Sequence, residues 1–399
     1  MQYKWDFSHR VPELDGIRGM AILVVVIYHW ITLQALAILP ERIENVLLFG
    51  WSGVDLFFVL SGFLIGGILL DARDSTNYFK VFYMRRFYRI VPLYGAICVA
   101  TLVIYYAHLS THAWLFGRLK LPWYSYLTFT QNLWMVKRNA LGYWQLAVTW
   151  SLAVEEQFYL TLPFVIRFTS RKTLPYVLGA GVLLAPLIRI VLWFAVDRPT
   201  ATISAQFLAP CRMDALLLGV LAACAVRNEA CWEWLVTHKA IIGAASIALG
   251  VAFLEMIHRR SSPVAFAMVS FGYTVIALFY LSLLLLAVTQ TGFVSRLFRF
   301  RGLTALGILA YGLYLFHIPV IGLIYGLAGK ASPQLTGRAT FGLTLLGGLL
   351  LFALVRISWL YFEKPMIRRG HRYEYHHTTS LPGPRTRLIA ERKTRTRVA

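Results

Sequence analysis

The sequence predicts an all-α, polytopic membrane protein of about ten transmembrane helices, with both termini cytoplasmic, and three observations predict it. The 399 residues are 58% hydrophobic and 15% aromatic, too apolar for a water-soluble domain of ordinary composition. Apolar stretches near residues 17–39, 47–70, 88–109, 146–168, 174–196, 207–226, 240–257, 264–289, 303–326 and 339–362 each approach the roughly 20 residues a bilayer needs. The net charge of +21 is unevenly spread. With the N-terminus inside, roughly 26 Lys and Arg fall on the cytoplasmic side and about 11 outside, which sets the orientation.

The first span follows Lys4 and Arg10 and so has the outline of a secretory signal. It is too long, lacks a small-residue cleavage site and carries Arg18, so it is expected to stay in the mature protein. Ionisable groups are costly in hydrocarbon, and Arg18 and His29 in one span therefore mark a working site. Their spacing is about three helical turns, which puts both side chains on one face roughly 16 Å apart along the axis. Asp15, one turn before Arg18, is placed to hold its guanidinium.

The second span brings Asp55 and Ser61. Ser61 precedes Gly62, and small residues of this kind line helix contacts in membranes, so a packing role competes with a chemical one. The connection to the third span is strongly basic, with Arg73, Lys80, Arg85, Arg86 and Arg89, and Arg86 and Arg89 lie one turn apart. Guanidiniums beside aromatic rings suit a phosphate-bearing, nucleotide-like ligand. Positive-inside anchoring also explains clusters of this sort.

Residues 110–145 are rich in Trp114, Trp123, Tyr124, Tyr126, Trp134, Tyr143 and Trp144. Such rings sit at headgroup level in re-entrant or interfacial segments, and they also offer stacking faces to a sugar; composition does not separate the two. The fourth span carries Trp150, Ser151, Glu155 and Glu156. Adjacent helical residues are about 100° apart, so only one of the two glutamates is expected to face a central chamber, unless both pair with buried arginines such as Arg189 of the fifth span or Arg212.

The sixth span contributes Arg212 and Asp214, and the ninth contributes His317, whose ring can serve the backbone that Pro319 leaves unpaired. The seventh, eighth and tenth complete the bundle. Residues 370–399, with Pro382, Gly383, Pro384 and many Arg and Lys, are expected to form a disordered cytoplasmic tail on anionic lipid; no nucleic-acid role is expected of it. Cys98, Cys211, Cys224 and Cys231 have no paired spacing, which argues against a disulfide framework or a zinc site, and no metal is expected.

If successive helices alternate in direction, His29, Asp55, Ser61, Trp150, Ser151, Glu155, Glu156, Arg212, Asp214 and His317 share one layer in the outer half of the bilayer. Groups of this kind face a bundle interior or a wet cavity, so the layer predicts a polar chamber opening outward.

Taken jointly these stretches resemble the acyltransferase-3 family of integral membrane acyltransferases. The resemblance lies in Leu14-Asp15-Gly16-Ile17-Arg18-Gly19 with His29, in Gly53-Val54-Asp55-Leu56-Phe57-Phe58-Val59-Leu60-Ser61-Gly62-Phe63, and in the Arg86/Arg89 pair. It continues in Trp150-Ser151-Leu152-Ala153-Val154-Glu155-Glu156-Gln157, Arg212-Met213-Asp214 and Phe362-Glu363-Lys364-Pro365. It implies a transmembrane acyltransferase domain over residues 1–369 that moves an acyl group, usually acetyl from cytoplasmic acetyl-CoA, to a hydroxyl. Acceptors in that family include surface glycans, lipid-linked saccharides, Nod-factor-like oligosaccharides and macrolides. Some members carry a fused esterase-like domain; this chain is expected to act without one, alone or with glycan-assembly proteins.

On that resemblance Arg85, Arg86 and Arg89 would dock the phosphates of coenzyme A. His29 would act as general base on the acceptor hydroxyl or be acylated itself. Arg18, held by Asp15, would orient the site or meet the pantetheine arm, and Glu155 or Glu156 would orient the imidazole or bind the acceptor hydroxyl. Asp55, Ser61, Trp150, Ser151, Arg212, Asp214 and His317 would line the acceptor side. The expected acceptor is a carbohydrate such as an exopolysaccharide, O-antigen or lipid-linked saccharide, and the expected location is a bacterial inner membrane, with lipids as the other partners. A proton-coupled transporter also fits ten helices with intramembrane charges, although no internal repeat is visible. A flippase-like partner without chemistry is the third class.

Overall fold

The computed structural model describes residues 11–35, 39–106, 121–258, 265–289, 292–330 and 333–376. Among them all regular structure is helical. Ten long helices correspond to the ten expected spans: α1 (Pro12–Ile27), α2 (Gly53–Asp71), α3 (Tyr78–Tyr106), α4 (Trp150–Phe168), α5 (Leu174–Ala195), α6 (Ala209–Ala225), α7 (Lys239–His258), α8 (Tyr273–Val288), α9 (Arg301–Leu327) and α10 (Arg338–Ser358). By length and composition, nine helical runs among the described residues can cross a membrane. The remaining one of the ten, α4, carries Glu155, Glu156 and Arg167 within its 19 residues.

Helix ends depart from the apolar boundaries where polar residues are good helix formers. α3 begins at Tyr78, ten residues before the expected start at 88, because Lys80, Arg85 and Arg86 lose little rotamer freedom in a helix and extend it beyond the apolar run. The sixth span is two helices. Leu208 is extended, with φ −79° and ψ 134°, and separates Arg198–Phe207 from α6. The aromatic connection holds the short helices Trp123–Leu127 and Gln131–Arg138, with Tyr126 and Tyr143 buried and Trp123 and Tyr124 exposed. Trp114 and tail residues 377–399 lie outside the described residues.

α1 continues through a π turn, Tyr28–Thr32, that carries His29. Such turns are rare and recur at functional sites because they displace one side chain from the regular helical stripe. Two helix pairs frame the bundle around it. α1 lies along α9 and α2 along α6, each at glycine-mediated close approach. A Cβ on Gly307 would stand 1.8 Å from the Asp15 carbonyl oxygen, and one on Gly19 would stand 1.9 Å from that of Leu303. On the second pair the corresponding distance is 1.9 Å from Gly62 to Leu216 O. Apolar burial drives little helix association in lipid, so backbone contact of this kind carries the packing. Gly307→Val is therefore expected to force α1 and α9 apart and to cost about 1–3 kcal/mol, read as a lower unfolding temperature in detergent.

Candidate active site

One cavity of about 390 Å³ runs into the bundle between α1, α2, α3, α4 and α9. One end of it is basic. Arg85, Arg86 and Arg89 from the first turns of α3 line it together with His371 and Tyr375. The cavity then passes Arg18, whose Nη1 donates to Asp15 Oδ1 at 3.1 Å, the pairing expected from their spacing. Arg89 stands among Arg18, Arg86, Glu363 and Tyr311, and the Tyr311 hydroxyl donates to Ile90 O at 2.7 Å, tying α9 to α3.

The other end is lined by hydroxyls and one carboxylate. Ser61, Ser151, Glu155, Tyr159 and Tyr314 all face it. Ser61 and Tyr159 are hydrogen-bonded to each other and both flank Glu155. Ser61 thus faces the cavity while its neighbour Gly62 makes the packing contact. The two glutamates separate as the helical angle requires: Glu155 lines the cavity, and Glu156 does not. One carboxylate oxygen of Glu156 is buried without a hydrogen-bond partner among the described residues, and Glu155, Arg86 and Tyr311 are its charged or polar neighbours.

Tyr314 closes this end. Its hydroxyl donates to Val148 O and receives a hydrogen bond from Ser151 Oγ at 2.8 Å. Its ring lies 6.1 Å from that of His317, and the His317 ring lies 5.0 Å from that of His29. His29 and His317, on different helices, are therefore brought together immediately beyond the cavity wall.

The hydrogen bonds assign both tautomers. His317 Nδ1 is 2.8 Å from Tyr314 O and 3.1 Å from Leu313 O, so it carries the proton and leaves Nε2 as an acceptor. His29 Nδ1 is 2.9 Å from Val25 O and 3.4 Å from His317 Nε2, so it too carries its proton. The lone pair of His29 is then on Nε2. The carbonyl that Pro319 orphans belongs to Leu315, which the His317 ring does not serve. Trp30 holds this stretch from the other side, its Nε1 donating to His317 O at 2.8 Å.

Asp55, Arg212, Asp214 and Trp150 do not line the cavity. Arg212 Nη2 donates to Asp55 Oδ1 at 2.6 Å, and Arg189 Nη1 donates to Asp214 Oδ2 at 3.0 Å. Arg212 lies 4.0 Å over the Tyr273 ring, and Thr274 donates to Asp214 at 2.6 Å. These four charges are at most 2% exposed and join α2, α5, α6 and α8. The glutamates pair with neither arginine. Trp150 packs its indole on Phe58 and Phe207, with ring centroids 6.2 and 4.9 Å away.

The residues from 11 to 361 match the profile of an acyltransferase domain, that of the acyltransferase-3 family. The chain belongs to that family. This family member is a multi-pass membrane protein, and it is similar to known O-acetyltransferases. It is 26% identical over 373 residues to the O-acetyltransferase OatA of Staphylococcus aureus, covering 90% of this chain and 58% of that protein. It is 26% identical over 394 residues to the peptidoglycan O-acetyltransferase OatA of Listeria monocytogenes, covering 90% and 56%. The chain thus spans less than two thirds of the length of the curated relatives it matches. No solved structure matches it.

Within this acyltransferase domain, several cavity residues lie outside the set expected from sequence. Tyr314 precedes His317 by three residues, which puts the two on neighbouring positions of one helix face, so a signal for it existed; Tyr311, six residues before His317, is turned about 120° from it and carries no such signal. Tyr159 follows Glu155 at four residues and carries the same signal as Tyr314. Among the described residues, no group of three or more His, Cys, Asp or Glu is placed to hold a metal ion.

Proposed function

We propose that this acyltransferase moves an acyl group, acetyl in the first instance, from cytoplasmic acyl-CoA to a hydroxyl of a carbohydrate acceptor on the far side of a bacterial inner membrane. The observation that carries this reading is the continuous cavity that joins Arg85, Arg86 and Arg89 to the Tyr314 wall behind which His317 and His29 meet. The arginine end is the cytoplasmic one by the positive-inside bias, which places both termini inside. Residues 1–369 form the greater part of the catalytic domain, and His371 and Tyr375 extend it past that boundary into the cavity.

The donor set fits the donor. Guanidiniums bind phosphate oxygens bidentately, and a cavity of 390 Å³ leading inward from them suits a slender thioester arm. Acyl-CoA supplies an activated carbonyl; the protein's own groups do the rest. His29 Nε2, with its lone pair free by tautomer, takes the proton of the acceptor hydroxyl. Val25 O at 2.9 Å holds that proton on Nδ1, and His317 Nε2 at 3.4 Å is its second acceptor. Arg18, oriented by Asp15, brings positive charge midway along the path, and Glu155 with Ser61, Ser151 and Tyr159 forms the polar lining there. Asp55, Arg212, Asp214 and Trp150 hold the helices in place. The carbohydrate class of acceptor is supported by the peptidoglycan relative, and exopolysaccharide, O-antigen and lipid-linked saccharide share its hydroxyl chemistry.

The test is release of free CoA from acetyl-CoA by purified protein in lipid nanodiscs, with and without surface glycans of the native host, and mass spectrometry of base-labile esters on those glycans. Acceptor-dependent release with matching esters is expected. Binding of CoA without release on any glycan removes the carbohydrate acceptor, and transport of solute without release favours a carrier. Arg86→Ala or Arg89→Ala is expected to weaken donor binding by about tenfold or more, at about 1.5–3 kcal/mol for a charge-assisted hydrogen bond, read as a raised KM for acetyl-CoA.

A further inference from the structure

The match to the family's domain ends at residue 361, and beyond it Ile367, His371 and Tyr375 line the cavity. α10 passes through a π turn, Trp359–Glu363, into the helix Lys364–His371. Residues 372–376 then continue along α3 towards its start as a strap. Asn77 fastens the strap twice: its Nδ2 donates to Glu374 O at 2.8 Å and its Oδ1 accepts from His376 N at 3.0 Å. Thr76 N donates to His376 O at 3.0 Å. On the cavity side, Arg85 Nε donates to Tyr373 O at 2.8 Å, and the Tyr373 ring stacks on Tyr88 with centroids 6.2 Å apart.

The strap ends in an unused donor. Tyr375 lines the cavity, with the Arg85 guanidinium 5.1 Å from its ring centroid. Its hydroxyl is buried and has no hydrogen-bond partner among the described residues. Burial raises that hydroxyl above the ordinary tyrosine range although Arg85 and Arg86 pull it the other way, so it keeps its proton at neutral pH. A buried O–H donor lacking an acceptor is costly, and beside two guanidiniums the group that relieves it is an anionic oxygen.

We propose that this strap completes the donor site, with the Tyr375 hydroxyl and the Arg85 it orients together gripping a phosphate of the nucleotide-bearing acyl donor. The proposal rests on the acyl-CoA reading above. It makes Tyr375 a ligand-binding residue and Asn77 a positioning residue, since Asn77 does not line the cavity and acts only through the strap. A lipid headgroup phosphate has the same chemistry, and the experiment separates the two.

Full-length protein in phosphatidylcholine nanodiscs is titrated with coenzyme A by calorimetry, and kcat and KM are measured with acetyl-CoA. Tyr375→Phe removes only the hydroxyl; Asn77→Ala removes two fasteners without touching the cavity. Both are expected to keep the wild-type unfolding temperature and a kcat within about twofold, and to weaken CoA binding and raise KM by about three- to tenfold. The double variant is expected to lose less than the product of the two, because both act through one strap. Wild-type affinity retained by both variants overturns the strap alone. A wild type that binds no coenzyme A overturns the donor reading and the strap with it. In nanodiscs containing phosphatidylglycerol, unchanged CoA affinity supports the nucleotide phosphate; affinity lost in the wild type but not in Tyr375→Phe assigns the hydroxyl to lipid and overturns the proposal.

Discussion

His29→Ala is expected to abolish acyl transfer while leaving donor binding within about twofold of wild type, because a positioned general base contributes about 10²–10⁴ in rate and His29 does not line the donor cavity. The two readouts are needed together. Scored in the native host lacking its own copy, at equal membrane levels, wild type should place base-labile acyl esters on surface glycans and the mutant should not. CoA affinity of the purified mutant should be preserved. If esters persist, His29 leaves the mechanism; if CoA binding falls with them, the substitution has damaged the bundle. His317→Ala is expected to be milder, about tenfold in kcat, because Val25 O still holds the His29 Nδ1 proton when the second acceptor is gone. That difference separates the base from the residue that positions it.

The features legible in the sequence are those that depend on one coordinate. Hydropathy places the spans, and helical angle predicts both the Arg18–Asp15 pair and the division of Glu155 from Glu156. Depth in the bilayer puts His29 and His317 in one layer, and the structure joins them there. Depth says nothing about lateral position, so the same layer also takes in Asp55, Arg212 and Asp214, which sit in a closed network away from the cavity. Tyr314 shares a stripe with His317, but its role depends on Ser151 and Val148 across the bundle. Residues 370–376 fall in the stretch expected to form a disordered tail and are instead ordered. Tyr373 and Tyr375 set them apart from the basic, tyrosine-free residues that follow, but the ordering itself comes from Asn77 and Arg85, roughly three hundred residues away in sequence.

Arg212→Ala is expected to cost about 3–5 kcal/mol, because it leaves the Asp55 carboxylate buried without its counter-charge. It also removes the guanidinium that covers the Tyr273 ring at 4.0 Å, opening a void among α2, α6 and α8. Low membrane levels and a reduced unfolding temperature should result, and a poor turnover by this variant alone would say nothing about chemistry. The informative variant is the double one, Asp55→Leu with Arg212→Met. Replacing both members of a buried pair by apolar groups of similar volume is often neutral, whereas breaking it is not, so the double variant should recover most of the lost stability. If the pair only holds α2 against α6, where Gly62 meets Leu216 across a contact too close for a side chain, turnover should return with folding. A double variant that folds at wild-type temperature, binds coenzyme A and still transfers nothing would instead put Arg212 and Asp55 in contact with the acceptor.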